Sequence, residues 1–201
     1  MNFRLFHDLT FDVLYGCVAV LVYVVLERGM YLGFLGWRLR RLAAIVAAAP
    51  RGADAGARAA PGAALAALKW ADPVTRAVQR YELLIDEGAS RERQEDFSAA
   101  LFIRVDKTVS ARLWLLDTVV TAAPLLGLLG TIFGIMETFN ALAAGGVSDP
   151  AAVSRGIGTA LIATAVGIAT ALLGLVGNNV LNRRAHVMTE DFKALLLSLT
   201  R

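Results

Sequence analysis

The chain has 201 residues, of which 57% are hydrophobic and only 18% charged, with a formal net charge of +3 and a mean hydropathy of +0.58. Because an average soluble domain is about 45–50% apolar and about 25% charged, this composition indicates a membrane protein. The single cysteine, Cys17, excludes an intramolecular disulfide and a thiolate-rich metal site. His7 and His186 belong to no metal or triad motif, and we expect both at the surface.

The first predicted span covers residues 9–26, after a short segment at 1–8. Only residues 13–26 are free of charge, a length that would also fit the apolar core of a signal peptide. Apolar side chains before this run extend it toward the N-terminus, and Glu27 and Arg28 follow where a cleavage site would need small residues. We therefore predict an uncleaved membrane anchor.

The region after the first span changes character along its length. Residues 43–67 are rich in Ala, Gly and Pro, which predicts a loop flanked by helical stretches. Residues 74–87 have a helical pattern, with Asp72 as N-cap and Gly88 as stop signal. Residues 91–112 contain no helix breaker and lead directly into the next apolar run, so we predict one helix that continues into the membrane.

Two further spans are predicted at 113–139 and 154–182. Each holds a run without ionisable side chains that reaches the length of about 20 residues needed for a bilayer helix. A short loop at 140–153 joins them, and a last helix at 183–201 follows the third span. The predicted fold class is an all-α membrane protein with three transmembrane helices.

The basic residues set the predicted orientation. Fourteen Lys and Arg residues lie in 27–112 and four in 183–201, whereas Arg4 and Arg155 are alone in the other two loops. Since basic loops remain in the cytoplasm, we predict an N-terminus outside and a C-terminus inside. Acidic residues are interspersed with the basic ones in 27–112, which argues against nucleic-acid binding.

Small residues recur at helical spacing in the second and third spans. In each span they form a groove that another helix can approach closely, and Pro124 is expected to bend the second span. Such faces occur in many membrane helices, but two of them in a three-span chain suggest an oligomer. The predicted packing positions are Pro124, Gly127, Gly130, Gly134, Gly156, Ala160 and Gly167.

The polar groups that stand out in these apolar spans are Thr131, Glu137, Thr159, Thr164 and Thr170, and the first four are the candidate ion-pathway residues. An intramembrane acid usually faces a bundle interior or a water-filled path, although Glu137 could also reach the bilayer surface. A threonine in a span often bonds to its own backbone instead of lining a pore. The sequence has no nucleophile elbow, phosphate-binding glycine loop or metal-ligand cluster, so we expect no enzyme activity, metal or cofactor.

Residues 124–136, PLLGLLGTIFGIM, and 156–167, GIGTALIATAVG, resemble the ExbB/TolQ/MotA proton-channel family, most closely ExbB and TolQ. Glu27 and Arg28 at the end of the first span fit the same resemblance. It implies a homopentamer in the bacterial inner membrane, in contact with lipid, with two single-span ExbD- or TolR-like subunits in the central pore. It also implies that Thr131 and Thr164 face the partner's proton-binding aspartate, and that a TonB- or TolA-like protein transmits the work.

Thr159 departs from the family pattern, because ExbB and TolQ usually carry a glutamate at this position. Glu137 could compensate if it faced Thr159 across the hairpin. The leading functional expectation is an ExbB-like stator that energises outer-membrane transport. The alternatives are a TolQ-like envelope-maintenance motor and a pentameric scaffold that does not conduct, whereas a MotA-like flagellar stator usually has four spans.

Overall fold

A computed structural model of the chain describes residues 3–48, 72–145 and 150–199. These residues form helices joined by short turns and contain no strand. The fold is all-α, as predicted. The helices are α1 (Phe3–Ala48), α2 (Pro73–Asp86), α3 (Arg91–Val109), α4 (Leu113–Gly145) and α5 (Pro150–Leu199).

Three of these helices are long and apolar enough to cross a bilayer. The qualifying stretches are Leu5–Ala47 in α1, Leu113–Ala143 in α4 and Val153–Leu199 in α5. With 46 and 50 residues, α1 and α5 measure about 69 and 75 Å at 1.5 Å per residue, more than twice the thickness of a bilayer core, which is about 30 Å. The chain is therefore a multi-pass membrane protein whose first and third spanning helices continue beyond the hydrocarbon region.

Two predicted helix boundaries are wrong. The expected loop at 43–67 is helical at its start, because α1 continues to Ala48, while the rest of that stretch lies outside the described residues. The helix predicted to continue from 91 to 112 is interrupted after Val109, where Ser110 caps α3 and Arg112 adopts a left-handed φ of 66°. A left-handed residue ends the run of helical hydrogen bonds, so α3 and α4 are separate helices.

At the other two predicted boundaries, the helices are longer than the sequence indicated. No separate helix begins at 183, because α5 continues without interruption to Leu199. In the expected loop at 140–153, α4 extends to Gly145 and α5 begins at Pro150, while 146–149 lie outside the described residues.

The prediction for α2 is confirmed at both ends. Asp72 caps its N-terminus by accepting a hydrogen bond from the Thr75 backbone N–H at 2.9 Å, and Pro73 occupies the first helical turn. After the helix, Gly88 has a φ of +71°, a conformation that a residue without Cβ adopts at little cost. Ser90 then caps α3 by accepting from the Arg93 backbone N–H.

The described chain divides into two compact units. Unit 1 comprises Met1–Glu27 and Arg112–Val180, and unit 2 comprises Arg28–Ala111 and Leu181–Arg201. The core of unit 1 is formed by Leu14, Leu21, Val24, Leu116, Val119, Ala123, Ala160 and Ala163. The core of unit 2 is formed by Leu35, Leu42, Val74, Val78, Tyr81, Val105, Val109, Phe192 and Leu196.

A polar cluster joins α1 and α2 within unit 2. Arg38 Nη1 donates to Asp72 Oδ2 at 3.0 Å, and the Thr75 hydroxyl donates to the same oxygen at 2.7 Å. Glu82 lies seven residues after Thr75, on the same face of α2, and is only 9% exposed. Burial, with a further contribution from the negative charge of Asp86, raises the pKa of the Glu82 carboxyl to about 7.

The raised pKa of Glu82 predicts that unit 2 loses stability as pH rises from about 4.5, the carboxyl's unperturbed pKa, to about 7. Over this window the native state holds a proton that the unfolded chain has released, so each increase in pH favours unfolding. Glu82→Gln should flatten this dependence and raise the unfolding temperature at neutral pH. Thermal unfolding of the purified protein across this window is the measurement.

Glu190→Gln is the matched control, because Glu190 is an exposed carboxyl of the same unit. A wild-type pH profile that survives Glu82→Gln unchanged would show that another group controls it.

Candidate functional site: the α4–α5 hairpin of unit 1

Glycines bring α4 and α5 into backbone contact. A Cβ on Gly127 would lie 2.9 Å from the Ala163 carbonyl oxygen, and a Cβ on Gly167 would lie 2.6 Å from the Ala123 carbonyl oxygen. Real Cβ atoms do not approach backbone atoms so closely, so only glycine permits this crossing. The two helices therefore meet along the small-residue faces that the sequence indicated.

The same seam continues toward the other end of the hairpin. A Cβ on Gly130 would lie 2.9 Å from the Ala163 Cβ, and one on Gly134 would lie 2.9 Å from the Ala160 Cβ. Gly156 packs directly against the Thr138 side chain. Pro124 lies inside α4, one turn before Gly127, where its missing N–H leaves the Val120 carbonyl without its helical donor.

Thr131 and Thr164 meet across this seam, and their hydroxyl oxygens are within hydrogen-bond distance of each other. The Thr164 hydroxyl also reaches the Gly127 carbonyl oxygen at 3.0 Å. The Thr131 hydroxyl reaches the same oxygen at 3.0 Å and the Ala160 carbonyl oxygen at 3.3 Å. The structure therefore brings together the two threonines to which the family resemblance points.

This network contains more acceptors than donors. The two hydroxyls supply two hydrogens, whereas the carbonyl oxygens of Gly127 and Ala160 and the hydroxyl oxygens themselves can all accept. Both side chains are half-buried, so they are within reach of a group outside the unit. The arrangement can accept a hydrogen bond from an incoming proton donor without first breaking a saturated network.

The other two predicted pathway residues lie apart from this pair. Thr159 is exposed, and its hydroxyl donates to the backbone oxygen of Arg155 at 3.0 Å. Glu137 is half-buried in the last part of α4, six residues beyond Thr131. Because six residues turn a helix by about 240°, Glu137 and Thr131 point to different sides of α4. A role for Thr159 or Glu137 in the ion path stays a prediction.

His7 is not a surface residue, contrary to the expectation from sequence. Its side chain is 13% exposed, and its Nε2 lies 3.2 Å from the position of a Cβ on Gly134. One turn further along α1, the Thr10 methyl group packs near Gly130. Gly130 and Gly134 are thus covered by α1 as well as by α5. The sequence did not predict the contact with α1, because a single histidine near the N-terminus belongs to no motif. His186 is exposed, as expected.

Two polar contacts lie at the opposite end of unit 1. Arg112 Nη1 donates to Glu27 Oε1 at 3.0 Å, which joins the turn before α4 to the middle of α1. Asn178 Nδ2 in α5 donates to Asp117 Oδ1 in α4. The sequence marked Glu27 as the end of the first span and through the family resemblance, and it did not single out Asp117 or Asn178.

Among the described residues, no group of three or more His, Cys, Asp or Glu side chains could hold a metal ion. The polar features described in unit 1 are instead a threonine pair on a glycine seam and two side-chain contacts that involve carboxylates. These features define the class of the protein: a three-span helical membrane protein with a polar site on its α4–α5 hairpin.

Comparison with known proteins identifies the family. Residues 69–194 match the model of the MotA/TolQ/ExbB proton channel family. Because this match covers more than half of the chain, the chain belongs to that family.

Several relatives carry ExbB or TolQ names. An ExbB homolog described as a biopolymer transport protein in Methanothermobacter thermautotrophicus is 38% identical over 116 residues, 56% of this chain and 40% of the relative. The biopolymer transport protein ExbB of Helicobacter pylori is 36% identical over 87 residues, 43% of this chain and 60% of the relative. The Tol-Pal system protein TolQ of Pseudomonas aeruginosa is 34% identical over 100 residues, 46% of this chain and 43% of the relative. The chain thus spans between 40% and 60% of the length of these relatives.

Proposed function

We propose that this chain is an ExbB-like subunit of an inner-membrane motor, which uses proton flow to drive a partner protein that acts on the outer membrane. The observation that carries the proposal is the Thr131–Thr164 pair on the glycine seam of α4 and α5. The pair places spare hydrogen-bond acceptors inside an apolar hairpin, where a polar group is costly unless it has a use.

The proposed assembly is a homopentamer around two single-span ExbD- or TolR-like subunits, oriented with its N-terminus in the periplasm and its C-terminus in the cytoplasm. The excess of basic residues in 27–112 and 183–201 supports this orientation. Within the pore, a protonated aspartate of the partner helix would donate to the Thr131–Thr164 pair. The proton is thus held on the partner, and the threonines stabilise it during passage.

Proton flux into proteoliposomes tests the proposal. Under an imposed pH gradient and potential, we expect flux from vesicles that contain this protein together with its single-span partner. Vesicles with either component alone should stay at the background rate, because the proton-binding aspartate lies on the partner and the threonines on this chain. Neutralising the partner's membrane aspartate should abolish the flux of an assembled complex.

A scaffold that does not conduct is the second candidate, and Thr159 favours it, since a threonine cannot titrate where ExbB and TolQ usually have a glutamate. An assembled complex without flux, in the presence of the force-transmitting protein, would support the scaffold and contradict the motor. Deletion of the gene in its host separates the ExbB-like role from the TolQ-like one. Loss of nutrient uptake across the outer membrane indicates the former, and a leaky envelope the latter.

A further inference from the structure

Asp117 is an ionisable side chain within a spanning helix. It lies one turn inside the membrane-spanning stretch Leu113–Ala143 and directly precedes the uncharged run at 118–136. An acid in a transmembrane segment is expensive and normally faces a partner or a water-filled path. The proposed function assigns Asp117 no role.

Asn178 holds the Asp117 carboxylate in place. Its side chain is only 7% exposed, and its Nδ2 donates to Asp117 Oδ1 across the hairpin. A buried amide requires a hydrogen-bond partner, so the contact fixes one carboxylate oxygen. Asp117 itself is exposed, which leaves its remaining acceptor sites accessible from outside the unit. If this contact served only to hold α4 and α5 together, a neutral buried acceptor would be sufficient, and an accessible carboxylate would not be required.

The contact is in register with the threonine pair. Asp117 precedes Thr131 by 14 residues along α4, and Asn178 follows Thr164 by 14 residues along α5. Since α4 and α5 pack as an antiparallel hairpin, the two contacts are rungs of one ladder, about 21 Å apart at 1.5 Å per residue. Fourteen residues are almost four helical turns, so the rungs lie on nearly the same side of the hairpin.

Further polar atoms lie between the rungs. The exposed Thr121 hydroxyl donates to the Asp117 backbone oxygen at 3.0 Å. One turn further, Pro124 leaves the Val120 carbonyl without its helical donor. The hairpin therefore carries hydrogen-bonding groups at several levels between its threonine pair and Asp117.

We propose that Asp117 is the exit carboxylate of the proton path, held in position by Asn178. The inference rests on the proposed function and its orientation, which place Asp117 at the cytoplasmic end of the hairpin. A proton that passes the Thr131–Thr164 pair binds the Asp117 carboxylate to give the neutral acid, which then releases it to cytoplasmic water. The carboxylate is regenerated, so no other reactant is consumed.

Flux through variants of the assembled complex is the first test. Asp117→Asn keeps an oxygen that can accept from Asn178 but cannot bind and release a proton, so we expect at least a tenfold loss of flux. Asp117→Glu should recover much of it. Both variants should bind the partner and unfold at the wild-type temperature, a result that a purely structural clamp also predicts. Only the loss of flux in Asp117→Asn distinguishes a proton-binding carboxylate from a structural clamp. Wild-type flux in that variant would overturn the inference.

The second test does not depend on conduction. A carbodiimide modifies protonated carboxyl groups, and mass spectrometry of the full chain in vesicles at mildly acidic pH locates the adduct. We expect labelling at Asp117 that exceeds labelling at Asp106 and that is lost in Asp117→Asn, because a hydrophobic carbodiimide partitions into the bilayer, and Asp117 lies in a spanning stretch whereas Asp106 does not.

Absence of the adduct at Asp117 would overturn the inference whatever the flux. If the wild-type complex does not conduct, the proposed function fails, and the labelling alone decides whether Asp117 binds a proton.

Discussion

Joint replacement of Thr131 and Thr164 by Val is expected to reduce proton flux through the assembled complex to about a tenth to a hundredth of the wild-type rate. Each hydrogen bond that a hydroxyl can no longer make to the proton donor costs about 0.5–1.5 kcal/mol, so the loss of both raises the barrier by about 1–3 kcal/mol. A barrier higher by about 1.4 kcal/mol slows passage tenfold. The measurement is the proteoliposome assay, with the protein and its partner reconstituted at a fixed ratio.

Valine nearly matches the volume of threonine, so the seam between α4 and α5 should remain packed. Joint replacement by Ser keeps both hydroxyls and should keep most of the flux. Thr108→Val is the matched control, because Thr108 is half-buried in α3, as the pair is in the hairpin, and its hydroxyl donates to its own helix at the Arg104 oxygen. Equal flux in the double Val variant and in Thr108→Val would remove the threonine pair from the ion path.

The sequence predicted the α4–α5 seam well because its signal is local. Small residues at steps of three and four fall on one face of a helix, whatever the rest of the chain does. Gly127 and Gly167 thus predicted a close crossing, and their backbone contacts bear this out. The meeting of Thr131 and Thr164 follows from that crossing, although the sequence pointed to this pair only through the family resemblance.

The break between α3 and α4 had no local signal. Residues 109–113 contain neither Gly nor Pro, so propensity alone predicted a continuous helix. In the folded chain, Arg112 is left-handed and its guanidinium pairs with Glu27, 85 residues away in sequence. Contacts at such a distance cannot be derived from periodicity.

Asp117 and His7 were missed for a related reason. Asp117 lies inside the predicted span at 113–139, just before its uncharged run, where an acid near the end of a span gives no signal of its own. Its importance depends on Asn178, which only the antiparallel packing of α5 brings near. His7 contacts Gly134, which lies 127 positions further along the chain. In both cases the residue type was visible in the sequence, and its partner was not.

Gly167→Ala is expected to destabilise unit 1 by about 3 kcal/mol, the upper end of the usual range for an overpacked core. The added Cβ would lie 2.6 Å from the Ala123 carbonyl oxygen and 3.1 Å from the Gly127 Cα, and backbone atoms cannot rotate away as a flexible side chain can. Separation of α4 from α5 would also part the Thr131–Thr164 hydroxyls. We therefore expect a lower unfolding temperature in detergent and a parallel loss of flux.

Gly158→Ala is the matched control in the same helix, because a Cβ on Gly158 would meet nothing within 4 Å. Alanine favours a helix over glycine by about 1 kcal/mol, so this variant should be as stable as the wild type or more so. The two variants add the same methyl group to α5, and they differ in whether α4 lies against it. If both shift the unfolding temperature alike, helix propensity dominates, and the close α4–α5 crossing does not stabilise the hairpin.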